Sequence, residues 1–247
     1  MASTTETGHA KNVANFEDLI LFCTGYGTAY NPSKNSIKLA SLNTLLTDVR
    51  ATLTDVTQKV TKFNIATNNR QDIFKNLKPL STRIVNALSA TDALDKTIDD
   101  AKAFNKKIQG TATKKKTTTP PDPTNATLPD AKTISTSQQS YDQLKEHFSK
   151  LISLLASESS YMPNETDLQT VTLDALLASM QAANTDVSNS YVDISNSRIE
   201  RNKMLYAENT GLYDIAMEVK KYVKSIYGAT SPQYKQISGI KFTKTIK

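Results

Sequence analysis

The chain has no tryptophan, one cysteine, two histidines and only seven glycines among its 247 residues. Glycine is thus less than half as frequent as the roughly 7% of an average protein. Sheet-rich folds use glycine in tight turns and bulges, so its scarcity favours long helices joined by few turns. The single cysteine, Cys23, cannot form a disulfide within the chain, which predicts a reduced, cytoplasmic setting.

Long apolar runs are missing as well. The longest covers residues 19–23, far short of the roughly 20 residues that cross a bilayer. The first ten residues lack the basic-then-apolar pattern of a secretory signal. We therefore expect a soluble protein without a transmembrane segment.

The patterns of common catalytic and cofactor sites are absent from the sequence. It contains no phosphate-binding loop, dinucleotide fingerprint or nucleophile elbow. His9 and His147 do not form the Glu-x-x-His pairs of a diiron bundle. Cys23, within an apolar stretch, is expected to fill the core rather than to act as a nucleophile. The sequence thus predicts no enzyme, no catalytic or metal-binding residue and no cofactor.

A segment rich in threonine and proline divides the chain into two halves. We predict an N-terminal tail over residues 1–12, a first helical repeat over 13–108, a linker over 109–136, a second repeat over 137–228 and a basic C-terminal tail over 229–247. Within the tail, Ile240 and Phe242 alternate with polar residues, which is the pattern of a strand. The tail either packs on its own bundle or adds to another molecule, with Tyr234 as an anchor in both cases.

The two halves resemble each other when the sequence is shifted by 131 residues. This shift aligns Tyr30-Asn-Pro32 with Tyr161-Met-Pro163. Over 30–56 and 161–187, nine of 27 positions are identical, where chance gives about two, so we predict an internal duplication.

Each half also contains a long helix whose seam residues are spaced alternately four and three apart. This heptad pattern is typical of coiled coils and of helices packed nearly antiparallel. The predicted fold class is all-α, an elongated bundle of two duplicated long-helix repeats with antiparallel coiled-coil-like packing. The seam of the second repeat comprises Leu173, Leu177, Met180, Asn184, Val187, Tyr191, Ile194, Arg198, Arg201 and Leu205.

Two arginines, Arg70 and Arg201, occupy matching positions on these seams. A guanidinium is costly to bury without partners, so each is expected to meet carboxylates or backbone carbonyls, with Asp72 and Glu200 as candidates. A structural role that fixes the register is favoured over contact with an anionic ligand.

The formal charge of +6 is spread unevenly along the chain. Residues 1–108 carry 14 basic and 10 acidic groups, and residues 137–228 carry 8 and 12, so the surplus lies in the linker and the tail. Opposite charges on the two repeats suit docking of one on the other.

The C-terminal part, from Arg201-Asn-Lys-Met-Leu-Tyr206 through the sequence SPQYKQISGIKF at 231–242, resembles the C-terminus of a family of bacterial helical proteins. The resemblance implies a bacterial origin but no activity, ligand or partner.

The sequence favours a non-catalytic structural or scaffolding protein that associates through long amphipathic helices, as a homo-oligomer or with a protein partner. One alternative is a nucleic-acid-binding protein that uses the lysine-rich tail and linker. Another is a membrane-active helical protein of the pore-forming kind, although no apolar hairpin is long enough to insert.

Overall fold

The computed structural model describes residues 4–110 and 139–244. All regular secondary structure in these residues is helical, so the fold class is all-α, as the scarcity of glycine predicted. Its helices are α1 Thr4–Gly25, α2 Leu39–Phe74, α3 Leu77–Ser89, α4 Asp95–Gln109, α5 Tyr141–Ser157, α6 Thr170–Tyr206, α7 Leu212–Tyr227 and α8 Pro232–Ser238.

The chain folds into two compact units. Unit 1 comprises the residues up to Phe63 together with those from Ser190 onward, and unit 2 runs from Asn64 to Asn189. Each unit therefore combines the beginning of one long helix with the end of the other. This grouping differs from the predicted division at a central linker, and residues 111–136 of that linker lie outside the described residues.

Unit 1 is built on α1, the first part of α2, the last part of α6, α7 and α8. Helix α1 contacts α7, and α8 contacts both. Asp55 of α2 accepts a hydrogen bond of 2.6 Å from Ser197 of α6, and Lys62 lies 3.1 Å from Asp193, so the two long helices run in opposite directions here. The fully buried side chains at the centre include Phe16, Leu19, Leu42, Val49, Leu205, Leu212, Val219, Val223 and Ile237.

Unit 2 is built on the last part of α2, the first part of α6, and α3, α4 and α5. Helix α4 contacts both α3 and α5. Ser140 begins α5 by accepting a hydrogen bond from the backbone N–H of Gln143, which satisfies one of the free donors of the first turn. The core includes Ile84, Leu88, Ala101, Ile108, Phe148, Leu151, Leu155, Leu173 and Met180.

The same local arrangement precedes each long helix. The hydroxyl of Tyr30 donates to the carbonyl of Ile37 at 2.6 Å, and that of Tyr161 donates to the carbonyl of Leu168 at 2.9 Å. The acceptor is seven residues along in both cases, at the end of a short 3-10 turn. We call these two arrangements the tyrosine corners.

The predicted seam of α6 is only partly buried. Every seventh position from Leu173 to Arg201 is buried, but Tyr191 and Arg198 are exposed, and Ser190 and Ser197 are buried in their place. The second predicted line is buried again at Leu205. One of the two predicted lines of contact is therefore continuous along α6, and the other is interrupted at Tyr191 and Arg198.

The two predicted tails also differ from the structure. Residues 4–12 are part of α1, and residues 232–238 form α8, which Ser231 caps with Pro232 at its first position. The expected strand is wrong for the described tail residues, since 240–244 have no regular secondary structure. No neighbouring strand supplies a ladder there, and side chains bond to the backbone of the tail instead.

Candidate functional site

The C-terminal segment, defined here as residues 239–244, is held on unit 1 by side chains of α1 and α7. Asn12 donates from Nδ2 to the carbonyl of Thr243 at 2.7 Å and accepts at Oδ1 from the backbone N–H of Thr243 at 3.0 Å. One side-chain amide thus satisfies both backbone groups of one residue, as an opposite peptide does in an antiparallel ladder. Three residues along α1, Asn15 donates to the carbonyl of Lys241 at 2.5 Å.

Buried polar groups fix the orientation of Asn12, which is 1% exposed. Its Nδ2 lies 3.2 Å from the hydroxyl of Tyr206, and that hydroxyl lies 2.7 Å from Nδ1 of His9. Nδ2 of Asn12 thus bonds to Tyr206 as well as to the carbonyl of Thr243, which leaves Oδ1 to accept from the backbone N–H of Thr243. A buried polar network in which each member has partners is rigid, because moving one member strands the others.

Helix α7 contributes Lys220, and we call the surface formed by Asn12, Asn15 and Lys220 the seat of the C-terminal segment. The ammonium group of Lys220 donates to the carbonyl of Ile240 and, at 3.4 Å, to that of Ser238. The same Nζ lies 5.4 Å from the ring centroid of Phe242. Burial lowers the pKa of Lys220, so these contacts replace water around a partly desolvated charge.

Apolar contacts complete the seat. Ile240 and Phe242 are half-buried and pack against the core of unit 1, while Ile237 of α8 is fully buried in it. Tyr234 is also half-buried there, with Nζ of Lys224 5.7 Å from its ring centroid. The predicted tail residues Tyr234, Ile240 and Phe242 are therefore brought together on one unit.

A shallow groove adjoins α8. It has a volume of about 530 Å³ and is lined by Asp18, Leu21, Phe22, Gly25, Tyr26, Gln233 and Gln236. Tyr26 closes one side by donating to the backbone carbonyl of Gln233 at 2.9 Å. The exposed apolar side chain of Leu21 faces solvent beside it.

The two seam arginines lie in different units. Arg70, in unit 2, stacks on Tyr141, with its Cζ 4.1 Å from the ring centroid. Arg201, in unit 1, is 3% exposed and donates to Oδ1 of Asn202 at 2.9 and 3.2 Å. Neither arginine is part of the seat of the C-terminal segment.

Sequence reasoning missed the residues that hold this segment, namely His9, Asn12, Asn15 and Lys220. A signal for two of them was present, since His9 and Asn12 share the helical period of Val13, Phe16, Ile20 and Cys23. Polar residues on the buried stripe of a helix indicate a partner that must satisfy them. The partner, a backbone more than two hundred residues away, has no local signature.

Within residues 4–110 and 139–244, no group of three or more His, Cys, Asp or Glu side chains could hold a metal ion. Cys23 is fully buried, and this burial raises the pKa of its thiol to about 12, which keeps it protonated. Within that same part of the chain, no helix combines the length and the hydrophobicity needed to cross a membrane.

Comparison with protein-family models, with curated proteins and with solved structures finds no match to this chain.

Proposed function

We propose that the protein is a non-catalytic structural or scaffolding protein, built from a duplicated helical repeat, whose copies associate through the long helices. The observation that carries this proposal is an exposed apolar stripe on α6. Val192 and Ile199 are 54% and 60% exposed. Their seven-residue spacing places both on one face of the helix, turned away from the buried Ile194 and Arg201.

The stripe has the spacing that a second helix requires. Apolar residues at seven-residue intervals form one line of a helix–helix contact. Removing such side chains from water stabilises an association by about 1.5–3 kcal/mol for each one fully buried.

The tyrosine corners support the duplication. Tyr30 and Tyr161, and their acceptors Ile37 and Leu168, are related by the same shift of 131 residues that aligns the two halves. Helices α2 and α6 begin at positions related by that shift too. A repeat of this kind suits a scaffold, because it presents similar long helices twice in one chain.

Three lysines in or beside the basic tail have partners within unit 1. Lys220 bonds to the C-terminal segment, Lys224 lies over Tyr234, and Lys244 lies 3.8 Å from Asp214. A nucleic-acid interface needs basic groups that are free to meet phosphates. For these three lysines the contacts favour the scaffolding function, whereas Lys235 and Lys241 of the tail are exposed and the nucleic-acid alternative rests on them and on the linker.

The test is the mass of the purified full-length chain by light scattering. We expect a multiple of the chain mass of 27.2 kDa, and a fall towards the single-chain mass in the double variant Val192→Lys, Ile199→Lys. The control is Asn43→Lys, Gln58→Lys, which adds the same charge at exposed positions of α2. A monomeric wild type, or equal masses in both variants, contradicts association through the stripe.

A further inference from the structure

We propose that the C-terminal part of the chain beyond Gly228 exchanges between two copies, so that each seat holds the C-terminal segment of the other copy. This inference rests on the proposed function, which has copies of the chain associate. It adds a contact that does not involve the α6 stripe. The partner is a second copy of this chain, because the segment that fits the seat is one that every copy carries.

The seat recognises the segment through groups that any copy can present. Asn12, Asn15 and Lys220 bond to backbone atoms of residues 238–243. The apolar side chains of Ile240 and Phe242 then fill the space against the core of unit 1. These contacts do not depend on the segment being joined to the same α7.

The seat is also complete without its own segment. His9, Asn12 and Asn15 belong to α1, Tyr206 to the end of α6, and Lys220 to α7. All of them precede the connection to α8 in the chain. The partners of Asn12 in particular, Tyr206 and through it His9, hold it in place whichever copy supplies Thr243.

The connection between α7 and α8 is a short turn, closed by hydrogen bonds from Ser231 to the carbonyl of Gly228, and it is the hinge that exchange would use. It consists of residues 228–231, and Gly228 has φ 86° and ψ 158°, a region that is open almost only to glycine. A Cβ on Gly228 would meet nothing within 4 Å, so the backbone conformation alone requires glycine there. A change at this one residue redirects everything that follows.

Exchange replaces each contact within a chain by the same contact between chains. Domain swapping is therefore a low-cost route to a dimer once two copies are close together. An α6 stripe that brings copies together raises the local concentration of the second segment and favours exchange. The hinge and the seat then determine which contacts form between the two copies of the dimer.

The first experiment detects exchange in the full-length chain by disulfide trapping. A chain carrying Asn15→Cys is mixed with a chain carrying Lys241→Cys and oxidised with copper phenanthroline. We expect a mixed disulfide between the two chains, and a disulfide-linked dimer rather than a chain closed on itself when both substitutions are in one protein. Gln58→Cys replaces Asn15→Cys in the control, and Cys23 is fully buried and does not compete.

Exchange is overturned if the doubly substituted chain closes on itself while the mixture gives no more cross-link than the control. If wild type then still associates through Val192 and Ile199, the scaffolding function stands and only the exchange fails. If the mixed disulfide forms while the mass is insensitive to the stripe substitutions, the exchange stands and association through the stripe fails.

The second experiment shortens the hinge by deleting Ala229 and Thr230, which we expect to keep the segment from reaching its own seat. We expect a stable dimer with twice the chain mass of 27.2 kDa, about 54 kDa. Adding Asn12→Ala, or Asn15→Ala if the first variant does not fold, returns the chain to monomer. Asn43→Ala, on exposed α2, leaves the dimer intact. A monomeric hinge deletion overturns the exchange.

Discussion

The two units are built from similar elements but differ in which helices pack together. Each contains one tyrosine corner, the start of one long helix and the end of the other. In unit 1 the helix before the corner, α1, packs on α7, the first helix after α6; in unit 2 its counterpart α5 packs on α4, the second helix after α2. Similar sequences thus form similar tyrosine corners, but different helices pack around the two corners.

The helices that directly follow the long helices nevertheless keep matching buried positions. Leu77, Ile84 and Leu88 of α3 are buried, as are Leu212, Val219 and Val223 of α7 at the same spacing. What differs is the surroundings of the corners. Tyr30 lies beside Cys23 and Tyr222, whereas Tyr161 lies near Glu165 and Asp167. The tyrosine corner therefore depends on residues close together in sequence, whereas the side chains that surround it come from more distant parts of the chain.

The test with the largest expected effect on this comparison replaces one buried phenylalanine in each unit. Phe16 and Phe148 occupy corresponding places in α1 and α5, and both are fully buried in separate cores. Phe16→Ala and Phe148→Ala should each cost about 3–5 kcal/mol, from lost burial and the cavity left behind. Hydrogen–deuterium exchange with mass spectrometry should show faster exchange first in the unit that carries the substitution. Equal acceleration in both units for both variants would contradict separate cores.

A second test uses alkaline pH. Burial raises the pKa of Cys23 and of Tyr26 to about 12 and that of Tyr30 well above its ordinary value, all in unit 1. In unit 2 burial raises the pKa of Tyr161 to about 12. A raised pKa in the folded state stabilises at lower pH, and that stabilisation is lost as pH rises from the unfolded value, about 9 for the thiol and about 10 for the phenols, through the folded one.

Unit 1 should therefore lose more stability than unit 2 between about pH 9 and about pH 12. Thermal unfolding followed by circular dichroism over that range measures the loss. Tyr30→Phe and Tyr161→Phe serve as matched variants, since each removes one buried hydroxyl. Tyr30→Phe should flatten the pH dependence more than Tyr161→Phe, because Cys23 and Tyr222 add to burial in raising the pKa of Tyr30; an equal effect would contradict that difference.

The smallest test concerns the ion pair at each corner, whose charges are reversed between the units. In unit 1, Lys34 of the corner pairs with Glu218 of α7 at 2.6 Å. In unit 2, Asp167 of the corner pairs with Arg83 of α3, whose hydrogen bond lowers the pKa of that carboxyl. Glu218→Lys should cost up to about 1 kcal/mol at low salt, because exposed pairs contribute little.

This loss should shrink as salt is added, since exposed charges are screened. Lys34→Glu, combined with Glu218→Lys, restores opposite charges and should recover the unfolding temperature. A double variant no more stable than Glu218→Lys alone would show that the pair does not contribute.

Much of the fold could be predicted from local patterns. The two long helices and the tyrosine that precedes each of them could be predicted, because each depends on residues within a few turns of one another, whereas α8 and the start of α1 lie in stretches predicted as tails. The seam of α6 was predicted only in part, because a heptad line assumes one partner along the whole helix. Ser190 and Ser197 are buried where Tyr191 and Arg198 were expected.

About half of the residues of the candidate site could be predicted. Tyr234, Ile240 and Phe242 were identified by the change of period in the tail, but Asn12 and Lys220, which hold the segment, were not. Asn12 and Thr243 are 231 positions apart, and no periodicity relates them. The interpretation of the tail as a strand failed because alternation indicates which side chains are buried, not what bonds to the backbone.

The sequence by itself determined that the chain is helical, that it carries two similar long helices and that its C-terminus bears apolar side chains needing cover. Only the tertiary structure decided which surfaces cover which, including the grouping of helices from both halves into each unit and the seat of the C-terminal segment. The physical reason is that periodicity records how much of an element is buried, whereas the identity of the partner follows from packing and hydrogen bonds between residues distant in the chain.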